Sequence, residues 1–124
     1  MVIGIGIDII EIERIKNSID RFGDGFLNKI YTKNELEYCL AKHNKYQHLA
    51  ARFAAKEAIY KAITTGWEKH ATWKSMEISN EPNGMPIVKF IGKLKEFLAD
   101  DKDIKISISH SENYVTCVAI IYKK

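Results

Sequence analysis

An alanine-rich segment near the middle of the chain constrains the fold more than any other part of the sequence. Between Arg52 and Ala62, one arc of a helical wheel carries only small or aliphatic side chains, namely Ala54, Ala55, Ala58, Ile59 and Ala62. A face of small side chains lets a helix approach a neighbouring element closely. The sequence therefore predicts a long helix, from about His48 to Thr64 and ended by Gly66, with its alanine face packed against another element.

The N-terminal segment Val2–Ile10 is rich in isoleucine and predicts a buried strand. Gly4 and Gly6 alternate within it, which indicates the close approach of another backbone or side chain. The following segment, Glu11–Phe22, spaces its apolar side chains three and four residues apart, as an amphipathic helix does. The sequence Gly23-Asp24-Gly25 is predicted to break that helix.

The rest of the chain changes from helical to strand periodicity. A capping box, Thr32 with Glu35, predicts a helix over about Lys33–Lys42. The second half predicts strands on either side of an Asn83-Gly84 hairpin turn and two further strands near the C-terminus. These strands are Ser75–Ser79, Pro86–Phe90, Ile104–Ser109 and Tyr114–Tyr122. The order of elements predicts an α+β fold with an antiparallel sheet against the alanine-rich helix.

Composition bounds the class of protein. A chain of 124 residues predicts one domain, residues 1–124. The net charge of +3, from 19 basic and 16 acidic residues, does not by itself argue for nucleic acid. Cys39 and Cys117 lack zinc-site spacing and are typical of free thiols in a reducing compartment. Because no apolar run approaches the roughly 20 residues that span a bilayer, we expect a cytoplasmic protein without a membrane partner.

Glu57 and Lys61 lie four residues apart at the edge of the alanine arc. One interpretation is an ordinary surface ion pair. The other is a metal–phosphate site, in which a carboxylate holds Mg²⁺ while Lys or Arg neutralises phosphate oxygens that the metal does not reach. Mg²⁺ in such sites takes one or two protein carboxylates. The second interpretation therefore needs another carboxylate elsewhere.

Asp8 is the candidate for that second carboxylate. A lone acid at the end of a hydrophobic strand is costly to bury unless it is paired or bound to a metal. The alternative is that the strand ends there and the Asp8 side chain caps the next helix. The residues alone leave both interpretations open.

Other motifs exclude several chemistries. His110 and Ser111 are adjacent, but the chain contains no G-x-S-x-G elbow, so a nucleophilic serine hydrolase is not favoured. A structural or phosphate-contacting role suits His110 better. The chain also contains neither a P-loop nor a complete dinucleotide-binding glycine motif.

Arg14 and Arg21 lie seven residues apart, on one face of the first predicted helix. Cations at this spacing are consistent with a solvated helix face. They are also consistent with a docking strip for an acidic partner, which would increase the rate of association more than the affinity. The sequence does not choose between the two.

Four segments, in order, resemble the short trimeric bacterial holo-acyl-carrier-protein synthases of the 4′-phosphopantetheinyl transferase superfamily. They are the N-terminal Gly4–Ile15, the central Arg52–Ala58 continuing to Lys61-Ala62, Asn83-Gly84-Met85-Pro86, and Ile108–Ser111 followed by Tyr114. Together they cover nearly the whole chain. The resemblance implies transfer of 4′-phosphopantetheine from coenzyme A to a serine of apo acyl carrier protein, in support of fatty acid biosynthesis.

The resemblance also implies roles for individual residues. Asp8 and Glu57 would hold Mg²⁺, or Mn²⁺ in its place, and Lys61 would contact the pyrophosphate as a third catalytic residue. Contacts to coenzyme A are implied for Arg52, Lys61, Asn83, Gly84, His110 and Ser111. Arg14 and Arg21 would dock the carrier protein. A homotrimer with active sites shared between subunits is implied as well.

A second interpretation of the chain is a small basic module that binds RNA or an acidic protein through the Arg14 and Arg21 face. The cations are dispersed along the sequence, and there is no aromatic strand motif of the kind that stacks RNA bases. We therefore expect a transferase and no nucleic-acid partner.

Overall fold

The computed structural model describes residues 1–63 and 66–124 and has ten helices and strands longer than a single 3₁₀ turn within that part of the chain. The first half contains β1 (Val2–Glu11), α1 (Ile12–Phe22), α2 (Asp24–Ile30), α3 (Lys33–Leu40) and α4 (Lys45–Ala62). The second half contains β2 (Met76–Asn80), β3 (Pro86–Phe90), α5 (Lys95–Leu98), β4 (Lys102–His110) and β5 (Tyr114–Lys123). The predicted α+β class is confirmed.

Two antiparallel sheets are present in the described residues. The larger has the strand order β1-β5-β4, and the smaller is the β2-β3 hairpin. The Asn83-Gly84 turn joins the hairpin as predicted, with Gly84 at a φ of 90°. Because β5 is central in the larger sheet, its inner face is fully buried, through Val115, Cys117, Ala119 and Ile121.

Helix α4 crosses the inner face of the larger sheet and forms the centre of the core. A Cβ built at Gly6 would overlap the carbonyl oxygen of Ala58, and one built at Gly4 would overlap that of Ala62. The predicted close approach at the two glycines is therefore confirmed, and the alanine face of α4 is what approaches. Since side chains alternate along a strand, Asp8 lies on the same face of β1 as Gly6, towards α4.

Several element boundaries differ from the sequence-based expectation. The predicted break at residues 23–25 is confined to Gly23, whose φ is 59°, and α2 begins directly at Asp24. Asp24 is an acid in the first turn, and the helix buries Leu27 and Ile30, which stabilise it. Helix α4 begins three residues before His48 and ends at Ala62, whereas its predicted end at Thr64 lies outside the described residues.

Strand β1 is buried on one face only, so the expectation of a buried strand is wrong for its outer face. Ile5, Ile7 and Ile9 are 65%, 64% and 66% exposed on the outer face of the sheet. They pair in register with β5, which adds the half-buried Val118 and Ile120 to the same face. Within the described residues no helix packs over this face, because α4 occupies the opposite one.

Every helix in the described part of the chain is too short or too polar to cross a bilayer. Cys39 and Cys117 are both free and buried. Burial raises the pKa of the Cys39 thiol to about 11 and that of Cys117 to about 12. Both thiols are therefore protonated and unreactive at neutral pH.

Candidate active site

Asp8 on β1 and Lys61 on α4 meet where the helix crosses the strand. Lys61 Nζ lies 3.3 Å from Asp8 Oδ1 and donates a hydrogen bond to the Ile7 carbonyl at 3.0 Å. The Asp8 side chain is largely buried, whereas the Lys61 side chain is 50% exposed. The lysine therefore compensates the charge of a carboxylate that the fold has removed from water, while its own ammonium remains accessible.

Glu57 lies one turn before Lys61 on α4 and is close enough to Asp8 for their charges to interact. Burial raises the pKa of Glu57 above its ordinary value, the charge of Asp8 raises it further, and Lys61 partly opposes both effects. The surface ion pair of Glu57 with Lys61 does not form, because the lysine turns to Asp8 instead. Two carboxylates with one accessible ammonium are thus gathered in one place.

The two carboxylates line a cavity of about 290 Å³ together with Arg14, Phe53 and residues of α1. Glu57 also lines a second, mainly apolar cavity of about 350 Å³, whose walls include Tyr60, Trp73 and Met76. Glu57 therefore stands between a polar and an apolar space. The first cavity suits charged groups, and the second suits an aliphatic chain.

The donor set fits Mg²⁺ only in combination with a substrate. Among the described residues no group of three or more His, Cys, Asp or Glu side chains converges on one point. Mg²⁺ commonly binds through one or two carboxylates and completes its shell with water and substrate phosphate. Asp8 and Glu57 match that requirement, and a bound cation would offset both the burial and the repulsion from Asp8 that raise the pKa of Glu57.

Arg14 and Arg21 are both exposed on α1. Arg14 lines the cavity of Asp8 and Glu57, so it lies at the mouth of the carboxylate site. Arg21 lies at the last turn of the helix with its guanidinium 5.2 Å from the centroid of the exposed Phe22 ring. Arg14 therefore lies at the carboxylate site, and Arg21 lies farther along the same helix, away from that site.

Arg52 lies on α4 but is only 3% exposed. Its guanidinium packs 4.5 Å from the centroid of Tyr38, and Nη2 donates to Asn80 Oδ1 at 2.8 Å. No carboxylate pairs with it in the described part of the chain, and its Nε has no hydrogen-bond partner there. A buried cation with neutral neighbours is costly, and an anionic ligand would relieve that cost.

His110 and Ser111 lie at the end of β4 and line a separate cavity of about 340 Å³ with Ile9, Tyr114 and Thr116. Burial lowers the pKa of His48, and the charges of Arg52, Lys42 and His110 lower it further, so His110 lies within electrostatic range of the Arg52 region. Neither Glu57 nor Lys61 lines this cavity. Within one chain, the carboxylate residues and the His110–Ser111 pair therefore lie in separate cavities.

Lys56 and Glu35 form the most buried ion pair of the described residues, although the sequence indicated Glu35 only as part of a capping box. Lys56 Nζ donates to Glu35 Oε1 at 2.7 Å and to the carbonyl oxygens of Ile30 and Trp73 at 2.8 Å. Glu35 also accepts from the backbone N–H groups of Thr32 and Ile78. Burial lowers the pKa of Lys56, and Glu35 opposes that shift. The pair ties α4 to α2, α3 and β2.

Asn80 also was not predicted, although its amide contacts both Arg52 and the hairpin turn. The signal for Lys56 and Arg52 was available in the spacing of Leu49, Arg52, Lys56, Ile59 and Ile63. That alternation of three and four residues places both cations within an apolar stripe. No comparable pattern marks Asn80.

Comparisons with known proteins identify the family of the chain. Residues 4–119 match the model of the 4′-phosphopantetheinyl transferase superfamily. The holo-[acyl-carrier-protein] synthase of Protochlamydia amoebophila is 48% identical over 120 residues, which cover 97% of this chain and 98% of that protein.

Two solved structures extend the similarity to the fold. The crystal structure of holo-[acyl-carrier-protein] synthase from Neisseria meningitidis has a TM-score of 0.88 at 29% identity, covering 99% of this chain and 100% of that one. The Bacillus anthracis synthase in complex with CoA (3′,5′-ADP) has a TM-score of 0.82 at 32% identity, covering 100% and 99%. These similarities give no support to the RNA-binding alternative. The chain belongs to the 4′-phosphopantetheinyl transferase superfamily.

Proposed function

We propose that this chain transfers 4′-phosphopantetheine from coenzyme A to a serine of apo acyl carrier protein, in support of fatty acid biosynthesis. The products are holo acyl carrier protein and adenosine 3′,5′-bisphosphate. The observation that carries the proposal is the gathering of Asp8, Glu57 and Lys61 in and beside one cavity. The match over residues 4–119 and the holo-[acyl-carrier-protein] synthase relatives support it.

In this proposal Asp8 and Glu57 hold Mg²⁺, and Mn²⁺ is an alternative because it also takes oxygen ligands. The metal would supply charge neutralisation at the pyrophosphate of coenzyme A. Glu57 suits this role because its side chain is partly desolvated and the negative charge of Asp8 repels its own. The proposed requirement for a divalent cation is tested by EDTA in the assay below.

The reaction is a displacement at phosphorus. The serine oxygen of the carrier protein forms a bond to the β-phosphorus of coenzyme A, and the bond from that phosphorus to the oxygen of the adenosine 3′,5′-bisphosphate breaks. The serine proton passes to Glu57 or to water in the cavity. Lys61 stabilises the charge that develops on the leaving phosphate, because its exposed ammonium is held at the cavity by Asp8 and Ile7.

A second group of residues is proposed to bind the phosphate-bearing end of coenzyme A. It consists of Arg52, Asn83, Gly84, His110 and Ser111. The buried guanidinium of Arg52 without a carboxylate partner in the described residues favours an anionic ligand. The Bacillus anthracis relative is described in complex with CoA (3′,5′-ADP), which is a ligand of the proposed class.

Arg14 and Arg21 are proposed to dock the acyl carrier protein. Arg14 lines the carboxylate cavity, so a partner that binds both arginines would place a side chain beside that cavity. A cationic strip on a chain of net charge +3 accelerates encounter with an acidic protein. Association should therefore slow as the salt concentration rises.

We propose a homotrimer in which neighbouring subunits complete each active site. The outer face of β1 exposes Ile5, Ile7 and Ile9, a continuous apolar strip of the kind that a partner subunit covers. The carboxylate site and the His110–Ser111 pair, which one chain keeps in separate cavities, would be joined across that interface.

The assembly is tested by light scattering of the purified chain at micromolar concentration, which should give the mass of three chains. Ile5→Asp should dissociate it, because the substitution places a charge on the exposed strip without entering the core. Ile87→Asp is the matched control, since Ile87 is 40% exposed on the other sheet. A wild-type monomer would contradict the shared-site proposal.

We also propose that residues 1–124 act as one domain in the cytoplasm. One cluster of buried side chains joins α4, both sheets and the shorter helices, which supports a single unit. The two free, buried thiols are consistent with a reducing compartment.

The activity is tested by incubating the chain with coenzyme A, Mg²⁺ and apo acyl carrier protein and following adenosine 3′,5′-bisphosphate by chromatography. Release of the bisphosphate should depend on all three additions and stop with EDTA. Release without the carrier protein would indicate hydrolysis of coenzyme A and would contradict group transfer. No release with several carrier proteins would overturn the proposed function.

A further inference from the structure

Asn80, the last residue of β2, joins two parts of the molecule through one side-chain amide. Its Oδ1 accepts a hydrogen bond from Arg52 Nη2 at 2.8 Å. Its Nδ2 donates to the Gly84 carbonyl at 3.0 Å. The amide therefore spans the gap between α4 and the β2-β3 turn, with both of its polar atoms in use.

The turn that Asn80 holds is rigid within itself. The Glu81 N–H donates to the Met85 carbonyl and the Gly84 N–H donates to the Glu81 carbonyl, both at 2.8 Å. Asn83 Oδ1 accepts from the Met85 N–H at 3.0 Å. The bond from Asn80 to the Gly84 carbonyl therefore links this turn to the residue that holds Arg52 on α4.

The other partner, Arg52, is a buried cation in neutral and cationic surroundings. Tyr38 packs against its guanidinium, and Lys42 lies 4.6 Å from the centroid of the same ring. Asn80 fixes the guanidinium through a neutral acceptor, which leaves the positive charge uncancelled. A carboxylate at the same position would hold the arginine equally well but would remove the charge that an anion needs.

We propose that Asn80 is a positioning residue for coenzyme A: it locks the charged Arg52 guanidinium and the Asn83-Gly84 turn into one arrangement that grips the phosphate-bearing end of the substrate. The inference rests on the proposed function. It assigns to Asn80 an effect on binding of coenzyme A and not on the chemistry at Asp8, Glu57 and Lys61, which lie in and beside a cavity that Asn80 and Arg52 do not line.

The first test compares Asn80→Ala with Asn80→Asp in steady-state transfer assays. Asn80→Ala should raise the KM for coenzyme A about tenfold, with kcat and the KM for carrier protein within about twofold, because one bond to a charged group is lost. Asn80→Asp should raise the KM more than Asn80→Ala does, although its carboxylate pairs with Arg52 and keeps the melting temperature at or above that of Asn80→Ala. A purely structural role predicts the opposite order.

The second test asks whether Asn80 acts through Arg52. In an Arg52→Ala background, Asn80→Ala should add less than about twofold to the KM, since residues of one network are not additive. Asn34→Ala is the matched control. The Asn34 amide lies 3.4 Å from Glu77, which is in β2 like Asn80, but it does not contact Arg52. Its KM for coenzyme A should equal that of the wild type.

Three results would each overturn the inference while the wild type remains active. They are an unchanged KM for coenzyme A in Asn80→Ala, an Asn80→Asp variant that binds coenzyme A as well as the wild type, and full additivity of Asn80→Ala with Arg52→Ala. Failure of the proposed function looks different, since the wild type itself would then not turn over coenzyme A, and the inference would fall with it. If Asn80→Ala does not fold, the comparison of Asn80→Asp with the wild type decides alone.

Discussion

Helix α4 carries two lysines, Lys56 and Lys61, that each pair with a carboxylate from another element, yet the two pairs are unlike. Lys56 and Glu35 are both fully buried, 2.7 Å apart, and all three ammonium protons of Lys56 are bonded. Lys61 and Asp8 are 3.3 Å apart, and the lysine is half exposed beside a cavity. The helix thus presents one closed pair and one open pair within two turns.

The different exposure of the two ion pairs shows how one helix contributes to both the fold and the function. In the closed pair every ammonium proton is bonded and both side chains are shielded from solvent, so the pair stabilises the arrangement of the elements it joins. An open pair keeps part of its ammonium in solvent and places it near Glu57, whose pKa is raised by burial and by Asp8. We infer that substitutions at the closed pair change stability and that substitutions at the open pair change catalysis.

The largest expected effect is loss of transfer in Asp8→Ala or Glu57→Ala. Each variant removes one of two carboxylates proposed to hold Mg²⁺, and the electrostatic contribution of such a site is several kcal/mol, so kcat/KM should fall by about 10³-fold or more. Melting temperatures should stay close to that of the wild type. Glu37→Ala, an exposed acid on α3, is the control and should remain active. Full activity in either variant would remove the metal assignment.

The next effect is on stability. Lys56→Met leaves the Glu35 carboxylate buried without its partner, and breaking a buried ion pair in this way costs about 3–5 kcal/mol. Urea denaturation should show this loss, and the double variant Lys56→Met/Glu35→Gln should recover part of it, because the buried charge is removed and the single glutamine oxygen still accepts from Thr32 or Ile78. A Lys56→Met variant as stable as the wild type would erase the distinction between the two pairs.

Lys61→Ala should show the reverse behaviour. The lysine of its ion pair with Asp8 is half exposed and the Asp8 carboxylate borders a cavity, so the free energy of unfolding should fall by only about 1 kcal/mol. Turnover should fall by about 10²-fold, because the leaving phosphate loses a positioned cation. Parallel denaturation and transfer assays measure both quantities. Unaffected kinetics would show that Lys61 has only the charge-compensating role seen at Asp8.

The smallest effect is the pH dependence of stability at Glu57, measured in EDTA. Because the folded pKa lies above the ordinary 4.5, the wild type loses stability as the pH rises between these two values. Glu57→Gln should therefore have the same melting temperature as the wild type at about pH 4. At about pH 7.5 its melting temperature should be higher by up to a few °C. Glu37→Gln is the control for a general amide effect. A difference that shrinks as the pH rises would contradict the sign of the shift.

Much of the fold follows from local patterns in the sequence. The alanine arc of α4 and the two glycines of β1 each indicate close packing, and the structure places one against the other. The Asn83-Gly84 turn and the capping box at Thr32 are equally local and equally correct. Helix α2 was missed, because Gly23 and Gly25 together resemble a turn, whereas the burial of Leu27 depends on tertiary packing.

The site was predicted less completely, and for a physical reason. Asp8 and Glu57 are separated by most of the first half of the chain, so only the crossing of α4 over β1 brings them near each other. The sequence also leaves Lys61 free to pair with Glu57, whereas the structure pairs it with Asp8. The spacing along α4 marks Lys56 and Arg52 as inward-facing, but their partners Glu35 and Asn80 come from distant segments, and no local period reveals these pairings.

The most direct test of the account is intact-mass spectrometry of apo acyl carrier protein after incubation with this chain, coenzyme A and Mg²⁺. We predict a gain of one phosphopantetheine, lost with EDTA, in Glu57→Ala and in a carrier protein whose acceptor serine is alanine, and retained in Glu37→Ala. A carrier protein that gains no mass with the wild-type chain, or that gains it equally with Glu57→Ala, would contradict the assignment of the chemistry to the open pair and its neighbouring carboxylate.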